Sequence, residues 1–349
     1  MNDTARRRRL ARYGFAPDPF QVQAFDALDA GESVLVAAPT GSGKTVIAEY
    51  GLEMAVEAGK RGFYTAPIKA LSNQKYHDLC AFYGSERVGL LTGDNAINVD
   101  APLLVMTTEV LRNMIYARSP SLDRLGVVVL DEVHFLQDEY RGPVWEEVII
   151  HLDPEVRLVA LSATVSNAEE IADWLSTVRG PTRAVVEGKR PVELHNLYAY
   201  GDKANDEIML VETLVNGAAN PKVLKLESGE HDAIRRRGGK RGRSRMFPPS
   251  RLDIVDVLRD NDLLPAIYFI FSRNQCDESA ASCYKAGIRL TSEAERDEIR
   301  EIVDSRVEGL SDDDLAALGF TMFAAQVESG IAAHHAGMVP TFKEIVEAL

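Results

Sequence analysis

The chain has 349 residues, 46% of them apolar, which is enough for two soluble globular domains. No stretch approaches the roughly 20 apolar residues of a membrane span, and no apolar segment follows the basic run Arg6 to Arg9, so neither a membrane helix nor a secretory signal is expected. The formal charge is −14, which argues against a broad basic footprint, and the three cysteines (Cys80, Cys276, Cys283) lack metal-ligand spacing and fit a reducing, cytoplasmic setting.

Residues 1–12 read as a basic tail. From Tyr13 the first half alternates short apolar runs with helical patterns. The strand candidates are Val34 to Ala38, Gly62 to Ala66, Val88 to Leu91, Leu103 to Thr107, Val127 to Asp131 and Arg157 to Ser162. Helical patterns cover Val46 to Ala58, Leu71 to Phe82 and Trp145 to His151. This alternation predicts an α/β fold: a parallel sheet with helices on both faces. Such sheets bind ligands at the carboxyl ends of their strands. Thr40, Pro67, Thr107, Asp131 and Ser162 all follow or end a strand candidate, so the informative residues gather at one edge.

Between the first strand and its helix lies Ala38–Thr45, APTGSGKT. Gly41 and Gly43 permit a tight turn that points N–H groups inward at a helix N-terminus, a place for phosphate. Lys44 can reach the β- and γ-phosphates, and the Thr45 hydroxyl can ligate Mg²⁺. Ala38 stands where the strict pattern wants glycine. After the apolar run Leu125 to Leu130 comes Asp131-Glu132-Val133-His134. An acidic pair at the end of a buried strand is costly unless it meets a cation or does chemistry. Asp131 suits Mg²⁺, and Glu132 suits the orientation and deprotonation of a water.

A Gly-, Pro- and charge-rich stretch from Arg179 to Pro191 predicts a boundary, giving domains of 13–182 and 183–349. In the second, Val192 to Tyr200 and Ala266 to Phe271 read as strands and Gln275 to Ala286 as a helix. Ser292 to Val307 reads as a charged helix with Ile299, Ile302 and Val303 on one face. Asn216 to Ser250 lacks periodicity and is expected to be a largely disordered insertion.

The ordered set APTGSGKT, DEVH (Asp131–His134) and SAT (Ser162–Thr164) resembles superfamily-2 helicases of the DEAD/DExH type. Phe20-Gln21 resembles the adenine-reading Q motif, and Thr65–Tyr76 (TAPIKALSNQKY) resembles motif Ia. Thr92-Gly93-Asp94 and Met106–Met114 are similar to motifs Ib and Ic, and Ile267–Arg273 to motif IV. Arg190–Tyr198 and Gly330–Pro340 look like the superkiller-like DEVH-box subgroup, which includes RNA-exosome helicases and the actinobacterial HelY group. The resemblance runs from Tyr13 to Leu349 and tolerates Ala38.

It implies two RecA-like domains, the second incomplete, and an ATP- and Mg²⁺-dependent helicase core acting on single-stranded or partly duplex RNA. DNA stays open, because 2′-OH contacts depend on geometry. It implies that Phe20 and Gln21 hold adenine, Thr40 to Thr45 the phosphates, and Lys44, Asp131, Glu132 and His134 the reaction, with Ser162 and Thr164 coupling it to movement. The nucleic-acid track would comprise Pro67, Lys69, Asn73, Gln74, Gly93, Thr107, Thr108 and Glu109. Ser272 and Arg273, with Gly337 and Met338, would continue it. Such a track reads the backbone through N–H and O–H donors, so an acidic chain can carry it. The stretch Arg235 to Arg245 holds seven basic residues and no acidic ones. It reads either as a solvated loop or as an arginine-rich RNA grip. The family's arginine-bearing motif QxxGRxGR is not found before Leu349, so a truncated chain with little turnover is expected.

Overall fold

In the computed structural model, which describes residues 3–163, 167–202, 207–228 and 246–349, the apolar runs of the first half are strands of one sheet. They are β1 (Ser33–Ala37), β2 (Arg61–Ala66), β3 (Val88–Leu91), β4 (Ala96–Ile97), β5 (Leu103–Thr107), β6 (Leu125–Leu130), β7 (Arg157–Ser162) and β8 (Thr182–Val186). Their order is β4-β3-β5-β2-β6-β7-β1-β8. All pairings are parallel except β3 with β4.

The inner strands are apolar over nearly their whole length because both faces are covered. Alternation sorts each strand between two cores. Val34, Val36, Val127 and Val129 join Phe25, Ile47 and Leu52 on one face. Leu35, Ala37, Val128 and Leu130 join Trp145, Val148 and Leu175 on the other. Helices α1 (Asp3–Leu10), α2 (Pro19–Asp29), α3 (Lys44–Glu57), α4 (Lys69–Tyr83), α5 (Thr108–Tyr116), α6 (Gly142–His151) and α7 (Ala168–Arg179) cover the sheet. Each fully buried Val, Leu or Phe side chain contributes about 1.5–3 kcal/mol.

Two expectations for this unit need correction. The boundary does not fall at 182: Gly180 (φ 93°) and Pro181 form the turn into β8, and Pro181 O accepts the Ser33 N–H at 2.9 Å. β8 then pairs with β1, and the first unit runs to Leu194, the second from His195. The basic tail is also not free. Asp3–Leu10 is helical, Arg6 bonds Asp26 and Asp29, and Arg9 donates to Glu57 (2.5 Å) and to the Tyr50 hydroxyl (3.0 Å). Tyr50 in turn donates to Asp29 at 2.8 Å, so the arginines close a half-buried network over the first core.

The second unit contains a three-stranded antiparallel sheet of Leu197–Asp202, Glu207–Glu212 and Met246–Phe247. The helices expected near 275–286 and 292–307 are Arg273–Lys285 and Glu293–Val307. Val303 and Val307 of the latter pack with Val327 and Ile345 in a small core. Residues 266–271, expected as a strand of a parallel sheet, are irregular, and Ile267, Phe269 and Phe271 are exposed. A strand needs a hydrogen-bonding neighbour, and among the described residues none pairs with this segment. The insertion is not structureless at its ends: Leu214–Val215 and Ala218–Ala219 form a hairpin, and Pro221–Glu227 is a helix. The stretch Arg235 to Arg245 lies outside the described residues. Among the described residues no helix is long and apolar enough to cross a membrane.

The N-terminal network carries a prediction. Arg9→Ala removes a largely buried guanidinium with its bonds to Glu57 and Tyr50 and is expected to cost about 2 kcal/mol in denaturant unfolding. Arg8, which is largely exposed and pairs with Glu57 at the surface, should cost less than about 0.5 kcal/mol on the same change. Equal losses, or none from Arg9, would contradict this.

Candidate nucleotide and nucleic-acid site

Parallel register brings the motifs together. Ala37 at the end of β1 lies opposite Ser162 on β7, and Ala160 of β7 lies opposite Leu130 of β6. The loop after β1, Ser162, and the Asp131 segment after β6 therefore occupy three neighbouring strand ends, each about 4.8 Å from the next. Across β6, Thr65 of β2 pairs with Leu130, and Ala66 pairs with Thr107 of β5, which extends the same edge.

The loop turns through two left-handed glycines, Gly41 (φ 80°) and Gly43 (φ 85°). A Cβ at Gly43 would lie 2.7 Å from Gln21 Nε2, so any side chain there would displace the Gln21 amide. Gln21 is 2% exposed. Its Nε2 donates to Gly43 O (3.0 Å) and its Oε1 accepts the Asp18 N–H (2.9 Å). In this state Gln21 thus ties the start of α2 to the loop, where adenine contact was expected, and Phe20 packs in the first core. Lys44 Nζ donates to Ala38 O (2.7 Å) and Pro39 O (3.0 Å). Burial lowers its pKa, while the charges of Glu132 and Asp131 work in the opposite sense.

Ser42 Oγ is buried and has no hydrogen-bond partner among the described residues. An orphaned hydroxyl costs about 1–3 kcal/mol. A phosphate oxygen would satisfy it, and the same anion suits the N-terminus of α3 and the Lys44 ammonium. Thr40 is exposed on the loop, and Thr45 stands in the first turn of α3. These residues fit a triphosphate with its Mg²⁺.

Both oxygens of Asp131 are held. Oδ2 accepts the Tyr64 hydroxyl at 2.5 Å, and Oδ1 accepts the Glu132 N–H at 2.9 Å. Tyr64, fully buried on β2, was not singled out from the sequence; it reads there as one more core aromatic. Burial, and then the Asp131 charge, push its phenol well above the ordinary tyrosine range. Glu132 has left-handed backbone (φ 52°, ψ 45°), a conformation that costs a non-glycine residue about 1–3 kcal/mol. Burial first, and the Asp131 charge second, raise the Glu132 pKa. His134 Nδ1 lies 3.1 Å from Glu132 Oε2 without hydrogen-bond geometry, and its ring stacks on Phe135 at 5.1 Å. Its expected link to Ser162 is not made, since Ser162 Oγ is buried with no partner among the described residues. Thr164 lies outside the described residues.

The expected track follows the next strand ends. Lys69 pairs with Asp94 beside Gly93. Ser72 Oγ donates to Met106 O at 3.2 Å and so fastens the first turn of α4, which carries Asn73 and Gln74, to β5. Asn73 Oδ1 is buried without a partner among the described residues, and Gln74 is exposed. Thr107 is largely buried. The Thr108 side chain is fully buried and its hydroxyl donates to Ala66 O at 3.5 Å, so the hydroxyl is not presented at the surface. Arg141 was missed; it donates to Pro67 O and to Glu109 Oε1 (3.0 Å). In the second unit Ser272 caps the helix Arg273–Lys285 by accepting the Gln275 N–H at 3.4 Å. Arg273 lies against Gly337, just before Met338.

Residues 18–171 match the DEAD/DEAH box helicase family. Over 98% of its length the chain is 48% identical to the probable helicase HelY of Mycobacterium tuberculosis (strain CDC 1551 / Oshkosh) and covers 39% of that protein. It is 37% identical over 97% of its length to the chloroplastic DExH-box ATP-dependent RNA helicase DExH15 of Arabidopsis thaliana, covering 32% of it. The ATP-dependent RNA helicase mtr4 of Schizosaccharomyces pombe is likewise 37% identical over 97% of the chain, which covers 31% of it. The chain thus spans well under half the length of these relatives. With the phosphate loop, the acidic pair and the shared sheet edge in place, residues 18–171 are a DEAD/DEAH box helicase domain, in a chain related along its length to HelY and DExH-box helicases.

Proposed function

We propose that this chain is the ATP-binding core of an ATP-dependent helicase that acts on RNA. One observation carries the reading: a single sheet edge holds a phosphate loop with an unsatisfied buried hydroxyl, Ser42, beside the half-buried acidic pair Asp131–Glu132. The relatives named as RNA helicases support the choice of RNA.

The residues divide the work. Lys44 leaves the Ala38 and Pro39 carbonyls for the β- and γ-phosphates, and the loop N–H groups and Ser42 hold the remaining phosphate oxygens. Thr45 and Asp131 would hold Mg²⁺, which would neutralise phosphate charge; the Tyr64 hydroxyl keeps the Asp131 carboxylate aimed. Glu132 orients the attacking water and takes its proton, a task for which a raised carboxylate pKa is suited. Gln21 and Phe20 fix the loop and flank the base. Ser162, Thr164 and His134 pass the state of the site onward. Pro67, Lys69, Asn73, Gln74, Gly93, Thr107 and Glu109 line one strand, and in the second unit Ser272 and Arg273 offer donors to nucleic-acid backbone.

Lys44→Ala removes charge-assisted hydrogen bonds worth about 1.5–3 kcal/mol. A fluorescent ATP analogue with Mg²⁺ should therefore bind about 10–100-fold more weakly to the variant. Unchanged affinity would sink the assignment of the loop.

Fluorescence anisotropy with oligouridine and oligodeoxythymidine of equal length tests the substrate. Tighter binding of oligouridine is expected, with log K falling about 0.7 per phosphate contact for each decade of salt. Tighter DNA binding would favour a DNA translocase, and salt-independent or absent binding would remove the nucleic-acid reading.

A further inference from the structure

We propose that Arg141 is a positioning residue that conveys occupancy of the nucleic-acid track to the segment carrying Glu132 and His134. The inference rests on the reading above that Pro67 and Glu109 lie along a bound strand.

Arg141 is built into place. Asp138 Oδ1 accepts the N–H groups of Tyr140 (2.9 Å) and Arg141 (2.8 Å), and Asp138 O accepts the Gly142 N–H at 2.8 Å. Gly142 tolerates nothing larger, because a Cβ there would sit 2.5 Å from Leu136 O. The backbone at Arg141 is thus clamped to the turn Val133–Gln137, which starts from Glu132. An Asp-anchored turn of this kind uses the carboxylate to satisfy N–H groups that helix formation leaves unpaired.

The side chain spans two regions. On one side the guanidinium donates to the Pro67 carbonyl and to Glu109 Oε1 at 3.0 Å. On the other it lies over the rings of Phe135 (5.0 Å) and Trp145 (5.5 Å), which stack on each other at 5.5 Å and 14°. Phe135 also stacks on His134, whose Nδ1 is 3.1 Å from the Glu132 carboxylate. A continuous set of contacts therefore runs from Pro67 and Glu109 through one guanidinium to Glu132.

Chemistry selects arginine for this. Its planar fork donates in the ring plane while its face stacks on aromatics, which an ammonium cannot do together. Arg141 is only part-buried, with 31% of its side chain exposed. A strand phosphate arriving beside Glu109 competes with that carboxylate for the guanidinium. When the guanidinium shifts on the Phe135 and Trp145 faces, the turn holding His134 and starting from Glu132 moves with it.

The test is thermodynamic linkage in the full chain. The affinity of a fluorescent ATP analogue with Mg²⁺ is measured alone and with saturating oligouridine. In the parent, oligouridine should change that affinity by about 5-fold or more. In Arg141→Lys the ATP analogue alone should bind nearly as in the parent, with an unchanged melting temperature, while the linkage collapses towards unity. If that variant unfolds, Phe135→Leu, which removes the ring and leaves the Pro67 and Glu109 contacts, should give the same collapse. Linkage retained in the variants overturns the proposal. So does weakening of both separate affinities with linkage intact, which marks a structural role. A parent that binds both ligands without linkage also overturns it. A parent that binds ATP but no oligouridine overturns instead the nucleic-acid reading, and the proposal with it.

Discussion

The functional edge depends on the flush parallel register of β1, β7, β6 and β2. Ala37 faces Ser162, Ala160 faces Leu130, and Leu130 faces Thr65. That register is fixed by apolar packing on both faces. A slip of one residue in β6 would exchange Val127 and Val129 with Val128 and Leu130 between the two cores. The core residues thus have a role beyond stability: they set the spacing between the phosphate loop and the acidic pair.

On that frame the polar groups are arranged at some energetic cost. Lys44 is half-buried on loop carbonyls, Ser42 and Ser162 hold unpaired buried hydroxyls among the described residues, and Glu132 has left-handed backbone. Strain and unsatisfied groups gather at working sites because the surrounding structure over-determines them. Tyr64 and Gln21 supply the counterweight. Each uses a buried side chain to fix a neighbouring motif, Tyr64 the Asp131 carboxylate and Gln21 the Gly43 carbonyl.

Local signals carried much of this into the sequence. Val88–Leu91, Leu103–Thr107 and Arg157–Ser162 are strands over the residues expected, because a strand buried on both faces is an unbroken apolar run. The Gly-rich loop and the acidic pair are legible for the same reason: their chemistry lies in contiguous residues. What was not legible depends on distant partners. Gly180-Pro181 reads as a linker until β8 is seen beside β1, and Ala266 to Phe271 reads as a strand although no described neighbour pairs with it. Tyr64 meets Asp131 and Arg141 meets Pro67 across 67 and 74 positions, so neither pairing leaves a local pattern. Thr108 looked like a surface donor, yet its hydroxyl is buried and donates to the Ala66 carbonyl.

The central claim is that the loop at Ala38 to Thr45 and the Asp131–Glu132 pair form one triphosphate site. A crystal structure of the chain with Mg²⁺ and a non-hydrolysable ATP analogue tests it most directly. The account predicts that Lys44 Nζ leaves the Ala38 and Pro39 carbonyls for phosphate oxygens, that Ser42 Oγ gains a phosphate partner, and that Mg²⁺ lies between Thr45 and Asp131. Triphosphate bound elsewhere, with Lys44 still on its carbonyls, would contradict it.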